Sequence, residues 1–262
     1  MNRILQTGRS GLDSIQKKMD TIAHNIANAQ TIGFKSQDVQ FGDLIYDQVA
    51  NRGIPLTSEA REKPIEIGTG SRVKNIRHKF EQGILVETSG RFDLAIEGGG
   101  FFGVQDENGE ILLTRNGAFT LDGDGFLVDS SGKHVLMEIY SKDYQLERDN
   151  FTINEKGIMT VMDEAGQTVE IGRILLYDVP DLSMLTAVGE NYFYTERQAY
   201  IVPLEGVRAE DSKIRQGYLE SSSVNIAKEL TDMLITQRAY SVNIKSIHAA
   251  DEMWGMVNQL KR

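Results

Sequence analysis

Cysteine is absent from the 262 residues of this chain. This absence excludes disulfide scaffolds, thiolate zinc sites, iron–sulfur clusters and cysteine nucleophiles. No stretch approaches the roughly 18 apolar residues of a membrane-spanning helix. Residues 1–9 contain charge and glycine where a cleavable signal peptide has an unbroken apolar run. The sequence therefore predicts a chain that neither inserts into a membrane nor is exported with a cleaved signal.

Histidine is scarce, and none of the four has a metal-ligating neighbour at helical or hairpin spacing. The glycine-rich stretch at 98–100 matches neither a P-loop nor a dinucleotide fingerprint. The net charge of −10 disfavours nucleic acid as a partner. We therefore predict that the protein is not an enzyme, with no catalytic residues, no cofactor and no metal, and that it does not bind nucleic acid.

Glycine and proline, which punctuate turns, are concentrated in the middle of the chain. Of 25 glycines, three lie in residues 1–35 and one in 223–262, and all four prolines lie between. The net charge is +3 over 1–35 and +1 over 223–262, which leaves −14 for 36–222. This distribution predicts two mildly basic helical ends around an acidic β-rich body.

Both helical ends carry apolar residues at heptad spacing, typical of a coiled-coil seam. The predicted N-terminal seam is Leu5, Leu12, Ile15, Met19, Ile22 and Ile26. The predicted C-terminal seam is Ile226, Leu230, Met233, Tyr240, Ile244, Ile247 and Trp254. We expect Gly33 to cap the first helix, and Ser221–Ser223 or Asn225 to start the second.

The economical arrangement of these two ends is an antiparallel coiled coil with the termini together. Two paired helices cover only part of the apolar surface of each seam. The uncovered part of that surface favours self-assembly. Lys17, Lys18 and Lys228 lie off both seams.

The middle of the chain reads as an antiparallel all-β domain, because Asn-Gly, Asp-Gly and Ser-Gly turns recur at hairpin spacing. The predicted strands are Phe101–Val104, Ile111–Thr114, Ala118–Leu121, Gly125–Val128, Phe151–Ile153, Ile158–Met162 and Arg173–Asp178. The predicted fold class is α+β. The predicted domains are a helical coiled-coil domain (1–35 and 221–262), connecting segments (36–71 and 205–220) and a central β domain (72–204). Residues 51–70 are predicted to form a loop.

Two terminal motifs resemble those of the bacterial flagellar rod and hook axial proteins. The N-terminal motif runs from Ala23 to Lys35, and the C-terminal one includes Thr236 to Tyr240. The family-motif residues are Asn25, Ala27, Asn28, Thr31, Gly33, Phe34, Lys35, Gln237 and Arg238. The segments 92–98 and 114–119 also fit, so the resemblance spans nearly the whole chain.

The resemblance implies a structural subunit that polymerises into a tube, with the helices lining an export channel and the β domain outside. It implies three kinds of partner: the chain itself, other rod subunits and the hook, and the flagellar type III export apparatus. Outer ring proteins are a further implied partner. The implied location is the flagellar basal body, outside the cytoplasmic membrane.

Chain length and the stretch 67–73 are most similar to the distal rod members. A short hook protein or another rod subunit is the alternative within the family. A free-standing coiled-coil/β binding module or adhesin is the alternative of a different class. An open-ended size distribution in sedimentation favours the filament, and a single small species favours the module.

Overall fold

The computed structural model describes residues 2–44, 46–49, 65–106, 108–123, 125–140, 151–162, 167–196, 198–204 and 212–260. Contacts between residues divide the chain into two compact units. The helical unit contains 1–27, 37–78 and 225–262, and the β unit contains 28–36 and 79–224. The predicted α+β class agrees with these two terminal helices and large antiparallel β domain.

The described residues of the helical unit form two long helices and four strands. Its elements are α1 (Asn2–Ala27), β1 (Gln37–Asp43), β2 (Tyr46–Val49), β3 (Ile65–Gly68), β4 (Ser71–His78) and α2 (Ile226–Leu260). Strand β1 pairs antiparallel with β4, from Gln37 opposite His78 to Asp43 opposite Ser71. Strand β2 pairs antiparallel with β3.

The predicted loop at 51–70 is therefore wrong for residues 65–68, which form β3. Ile65 and Ile67 alternate with Glu66, which is the period of a strand, and β2 supplies the hydrogen-bonding partner. Residues 51–64 lie outside the described part of the chain.

The two helices begin and end where local side chains redirect the backbone. Asn225 starts α2, because its side-chain oxygen accepts from the Lys228 amide at 3.1 Å and its carbonyl accepts from the Glu229 amide at 3.0 Å. The predicted cap of α1 at Gly33 is wrong, since α1 ends six residues earlier at Ala27. Beyond it Asn28 accepts hydrogen bonds from both the amide and the hydroxyl of Thr31, which favours a turn over further helix.

The β unit contains seventeen of the strands in the described residues, and all their pairings are antiparallel. They are β5 (Leu85–Glu87), β6 (Leu94–Glu97), β7 (Phe101–Gln105), β8 (Ile111–Thr114), β9 (Thr120–Leu121), β10 (Leu127–Val128), β11 (His134–Val135), β12 (Met137–Ile139), β13 (Phe151–Ile153), β14 (Ile158–Met162), β15 (Thr168–Ile174), β16 (Leu176–Asp178), β17 (Thr186–Gly189), β18 (Tyr192–Tyr194), β19 (Val202–Pro203), β20 (Lys213–Gln216) and β21 (Tyr218–Glu220).

These strands form two larger sheets and two strand pairs. The nine-stranded sheet has the order β17-β18-β8-β7-β11-β10-β9, with β16 pairing both β7 and β19. The four-stranded sheet has the order β12-β15-β14-β13. The two pairs are β20 with β6 and β21 with β5.

The predicted strands 151–153 and 158–162 are confirmed with the same bounds. The predicted strand 173–178 is divided between β15 and β16. The predicted turns at Gly109 and Gly132 are confirmed, since both residues adopt the left-handed φ values, 82° and 79°, that such turns favour.

The main core of the β unit is built from the inward faces of its sheets, with Leu94, Phe102, Val104 and Leu127 fully buried. Phe102 packs edge-on against Phe119, with ring centroids 5.2 Å apart.

The predicted domain bounds at 35, 71, 205 and 221 stay predictions about independent folding. The contacts group 37–78 with the helices and 28–36 with the β strands.

Candidate functional site

The predicted seam on α1 lies on a face that is only partly covered. Ile22 is buried, with 4% of its surface exposed, and the other five seam residues are half-buried. The neighbouring face of α1 carries buried polar residues, and Ser14 donates to the Ser71 carbonyl at 3.1 Å. Heptad spacing of apolar residues did not reveal this polar face.

The motif residue Asn25 joins three segments of the helical unit. Its side-chain amide donates to the Gln37 carbonyl at 2.8 Å, and its oxygen accepts from the Gln37 amide at 2.8 Å. The same amide lies 3.2 Å from the Glu229 carboxylate on α2. Because Asn25 is buried, these hydrogen bonds satisfy groups that water cannot reach.

Small residues allow α1 to approach α2 closely at the other end of α1. A Cβ atom added to Gly8 would lie 2.8 Å from Cγ1 of Ile247, and one added to Gly11 would lie 3.3 Å from Nδ2 of Asn243. The start of α1 thus lies beside the C-terminal half of α2, while Asn25 lies beside its first turn. A cavity of about 420 Å³ opens here, and its lining residues are not titratable.

The predicted seam on α2 is more exposed than that on α1. Ile226 and Leu230 expose 47% and 48% of their surface. Met233, Tyr240, Ile244, Ile247 and Trp254 are half-buried. The Trp254 indole N–H is buried without a hydrogen-bond partner among the described residues.

Further apolar residues of α2, outside the predicted seam, are exposed. They are Leu234, Ile235, Val242, Met253, Met256, Val257 and Leu260. Sequence reasoning missed them because it followed the two interleaved heptad series of one seam, whereas apolar side chains occur on more than one side of this helix. Gln237 and Arg238 of the family motif are also exposed.

The rest of the N-terminal motif belongs to the β unit, apart from Ala27, which is exposed at the end of α1. Phe34 and Lys35 are buried, with 5% and 1% of their surfaces exposed. Gly33 has a φ of 67°, and a Cβ atom there would lie 2.6 Å from the Arg115 carbonyl carbon. Glycine is thus required at this position by both conformation and space.

Lys35 lies in a cluster of three buried ionised side chains. Its ammonium donates to Oε1 of Glu220 at 2.6 Å and to the Glu81 carbonyl at 2.8 Å. Arg115 donates to Oε2 of Glu220 at 3.3 Å, and the Gly83 amide donates to Oε1 at 2.7 Å. Glu220 therefore compensates two buried cations, and only 1% of its side chain is exposed.

Burial dominates the electrostatics of this cluster. Desolvation lowers the pKa of Lys35 and of Arg115, and the Glu220 carboxylate opposes both shifts. The Arg115 guanidinium also donates to the Gly98 carbonyl at 2.9 Å and lies 5.3 Å from the centre of the Phe101 ring. The Glu220 carboxylate therefore contacts both cations, one through each of its oxygen atoms.

Backbone hydrogen bonds tie the same segments together. The Gly33 amide donates to the Glu220 carbonyl at 2.8 Å, and the Ser223 amide donates to the Phe34 carbonyl at 3.0 Å. The Ser223 hydroxyl accepts from the Ser36 amide at 3.0 Å. The chain before β1 and the chain before α2 are therefore joined within the β unit.

The sequence did not pair Arg115 with Glu220. Arg115 lies in a segment that resembles the family, but carboxylates are abundant in so acidic a chain, and 105 positions separate Arg115 from Glu220. No group of three or more metal-ligating side chains occurs in the described residues. In the same part of the chain, neither helix has an apolar window long enough for a membrane span.

Three family descriptions match different parts of the sequence. Residues 5–35 match "Flagella basal body rod protein", and residues 95–161 match "Flagellar hook protein FlgE/F/G D1 domain". Residues 215–260 match "Flagellar basal body rod FlgEFG protein C-terminal".

Curated proteins named flagellar basal-body rod protein FlgG are similar to this chain over its length. That of Borreliella burgdorferi is 36% identical, with 100% of each chain covered. That of Buchnera aphidicola subsp. Schizaphis graminum is 37% identical, with 98% of each covered. That of Bacillus subtilis is 30% identical, with 100% of each covered.

Proposed function

The chain belongs to the family of flagellar basal-body rod proteins, and on this basis we propose that it polymerises into the distal part of the rod. The family is structural and not enzymatic, and its members are rod subunits of the flagellar basal body. Full-length similarity to proteins named FlgG favours a rod subunit over a hook protein for this chain.

The exposed apolar surface of α2 is the observation that supports polymerisation. Leu234, Val242 and Leu260 expose 60%, 62% and 87% of their surfaces. Apolar side chains in such numbers on one helix mark an interaction surface. In a homopolymer, the partner that covers this surface is a second copy of the chain.

In this proposal α1 and α2 pair as an antiparallel coiled coil, and the predicted seam residues contribute to contacts within and between subunits. The helical unit forms the inner layer around the channel, and the β domain forms the outer wall. Glycines at 8 and 11 support close helix packing, since side chains there would meet Ile247 and Asn243.

The proposed partners are further copies of the chain, neighbouring rod subunits, the hook and outer ring proteins. The chain reaches its site outside the cytoplasmic membrane through the flagellar type III export apparatus. Location at the flagellum follows from the family.

Two measurements test the proposal. In sedimentation, the wild-type chain should give an average mass that rises with concentration without a plateau; a single small species would contradict polymerisation.

In a motility assay of cells lacking the native subunit, Ile244→Asp should be exported but should not restore swimming, because a charge then replaces a half-buried seam side chain.

Lys228→Gln is the matched control, because Lys228 lies on the same helix and its side chain is exposed. It should restore swimming to near the wild-type level. Normal swimming of Ile244→Asp cells would exclude the coiled-coil inner layer for this chain.

A further inference from the structure

Two separate groups of apolar side chains are exposed on α2. Each side chain exposes between 46% and 87% of its surface. Patch A comprises Ile226, Leu230 and Leu234. Patch B comprises Ile235, Val242, Met253, Met256, Val257 and Leu260.

The two patches lie on different sides of the helix and at different heights. With 3.6 residues per turn, the centre of patch B is rotated by about 130° from the centre of patch A. At 1.5 Å per residue, the centres are about 30 Å apart along the axis.

The exposed apolar side changes between Leu234 and Ile235. Beyond this point the side that carried patch A bears Gln237, Ser241 and His248, all exposed. Before it, the side that carries patch B bears Lys228 and Thr231, also exposed. The patches are therefore two distinct surfaces and not one continuous stripe.

We propose that patch A of one copy packs against patch B of the next, so that the contact between subunits is head-to-tail. The inference rests on the proposed polymerisation and names the surfaces that carry it. Because the two surfaces differ, each added copy presents a free patch A and a free patch B at the two ends, and growth stays open.

Buried area favours this contact over a closed dimer through patch B. Half-exposed side chains of this size present on the order of 100 Å² each, which gives roughly 300 Å² for patch A and roughly 600 Å² for patch B. A chain of A–B contacts buries both patches of every subunit. A closed dimer through patch B buries only that patch and leaves patch A in water.

One A–B contact is too small to be stable alone. Its total of roughly 900 Å² is below the 1,200–2,000 Å² of stable interfaces. Two isolated copies should therefore associate weakly, and a stable polymer needs further contacts between subunits in addition to the A–B contact.

The absence of cysteine allows a cross-linking test in the full-length chain. Leu230→Cys places a thiol in patch A, and Met253→Cys places one in patch B. Both residues are about half exposed, so neither change opens a core cavity. Lys17→Cys, on the polar side of α1, is the control.

Each variant is treated with a short bismaleimide at a concentration at which sedimentation detects the polymer. Neither patch variant alone should give more than trace dimer. An equimolar mixture of the two should give at least tenfold more dimer, and the double variant should give a ladder of multimers. The double variant of Lys17→Cys with Leu230→Cys should give no ladder.

Strong dimer formation by Met253→Cys alone would overturn the inference in favour of a patch B pair. A polymer in which the mixture does not cross-link would also overturn it, while leaving the proposed polymerisation intact. A wild-type chain that stays monomeric in sedimentation would overturn both, so the two failures are distinguishable.

Discussion

In the β unit one cluster of three ionised side chains is buried, whereas on α2 of the helical unit nine large apolar side chains are exposed. Lys35, Arg115 and Glu220 each expose 5% or less of their surface, yet they compensate one another. Leu260, by contrast, exposes 87% of its surface. The β unit thus compensates these buried charges internally. The apolar side chains of α2 stay exposed in the helical unit, and in the proposed polymer a further copy of the chain covers them.

The largest expected effect breaks the charge cluster of the β unit. Glu220→Gln removes the buried carboxylate that contacts both Lys35 and Arg115, which should lower the free energy of unfolding by about 3–5 kcal/mol. Urea unfolding monitored by far-UV circular dichroism measures this loss of stability. Because the single tryptophan, Trp254, lies on α2, its fluorescence reports the helical unit separately and should change less.

Glu97→Gln is the matched control for this change. Glu97 accepts from Arg215 at 2.8 Å, but that ion pair is about half exposed. Its loss should cost no more than about 1 kcal/mol. Equal effects of the two substitutions would mean that burial of the Glu220 cluster does not matter.

A second change contrasts buried and exposed positions within the helical unit. Ile22→Ala removes a buried side chain and should lower the free energy of unfolding by about 2–5 kcal/mol. Leu260→Ala removes an exposed side chain and should change monomer stability by no more than about 0.5 kcal/mol. Trp254 fluorescence during urea unfolding at low protein concentration measures both, and a large loss for Leu260→Ala would show that the end of α2 is covered within the monomer.

The smallest expected effect concerns the start of α2. Asn225→Ala removes the side-chain oxygen that accepts from the Lys228 amide. It should lower the free energy of unfolding, measured by Trp254 fluorescence, by about 1 kcal/mol. Asn225→Ser retains a good capping group and should differ from the wild type by only a few tenths of a kcal/mol. If alanine and serine behave alike at this position, the cap does not contribute to the stability of α2.

Much of the fold was predictable from local patterns. Heptad spacing and the scarcity of glycine and proline identified both helices, because the periodicity of a helix is visible in the spacing of apolar residues along the sequence. Glycine-containing turns identified β8 with the observed bounds, and β13 and β14 were also predicted with theirs. The end of α1 was not predictable in this way, since the hydrogen bonds between Asn28 and Thr31 compete with the helix just before the expected glycine cap.

The sequence by itself determined that this chain has helical ends, a β-rich middle and the motifs of an axial protein, since each of these depends on neighbours within a few turns or strands. Only the tertiary structure decided that Lys35, Arg115 and Glu220 meet, because residues far apart in sequence become partners through strand pairing. It also decided which apolar residues of α2 stay exposed. The spacing of apolar residues along the sequence is the same whether a face of the helix packs against α1 or is exposed to water. Which face is buried depends on where the rest of the chain lies.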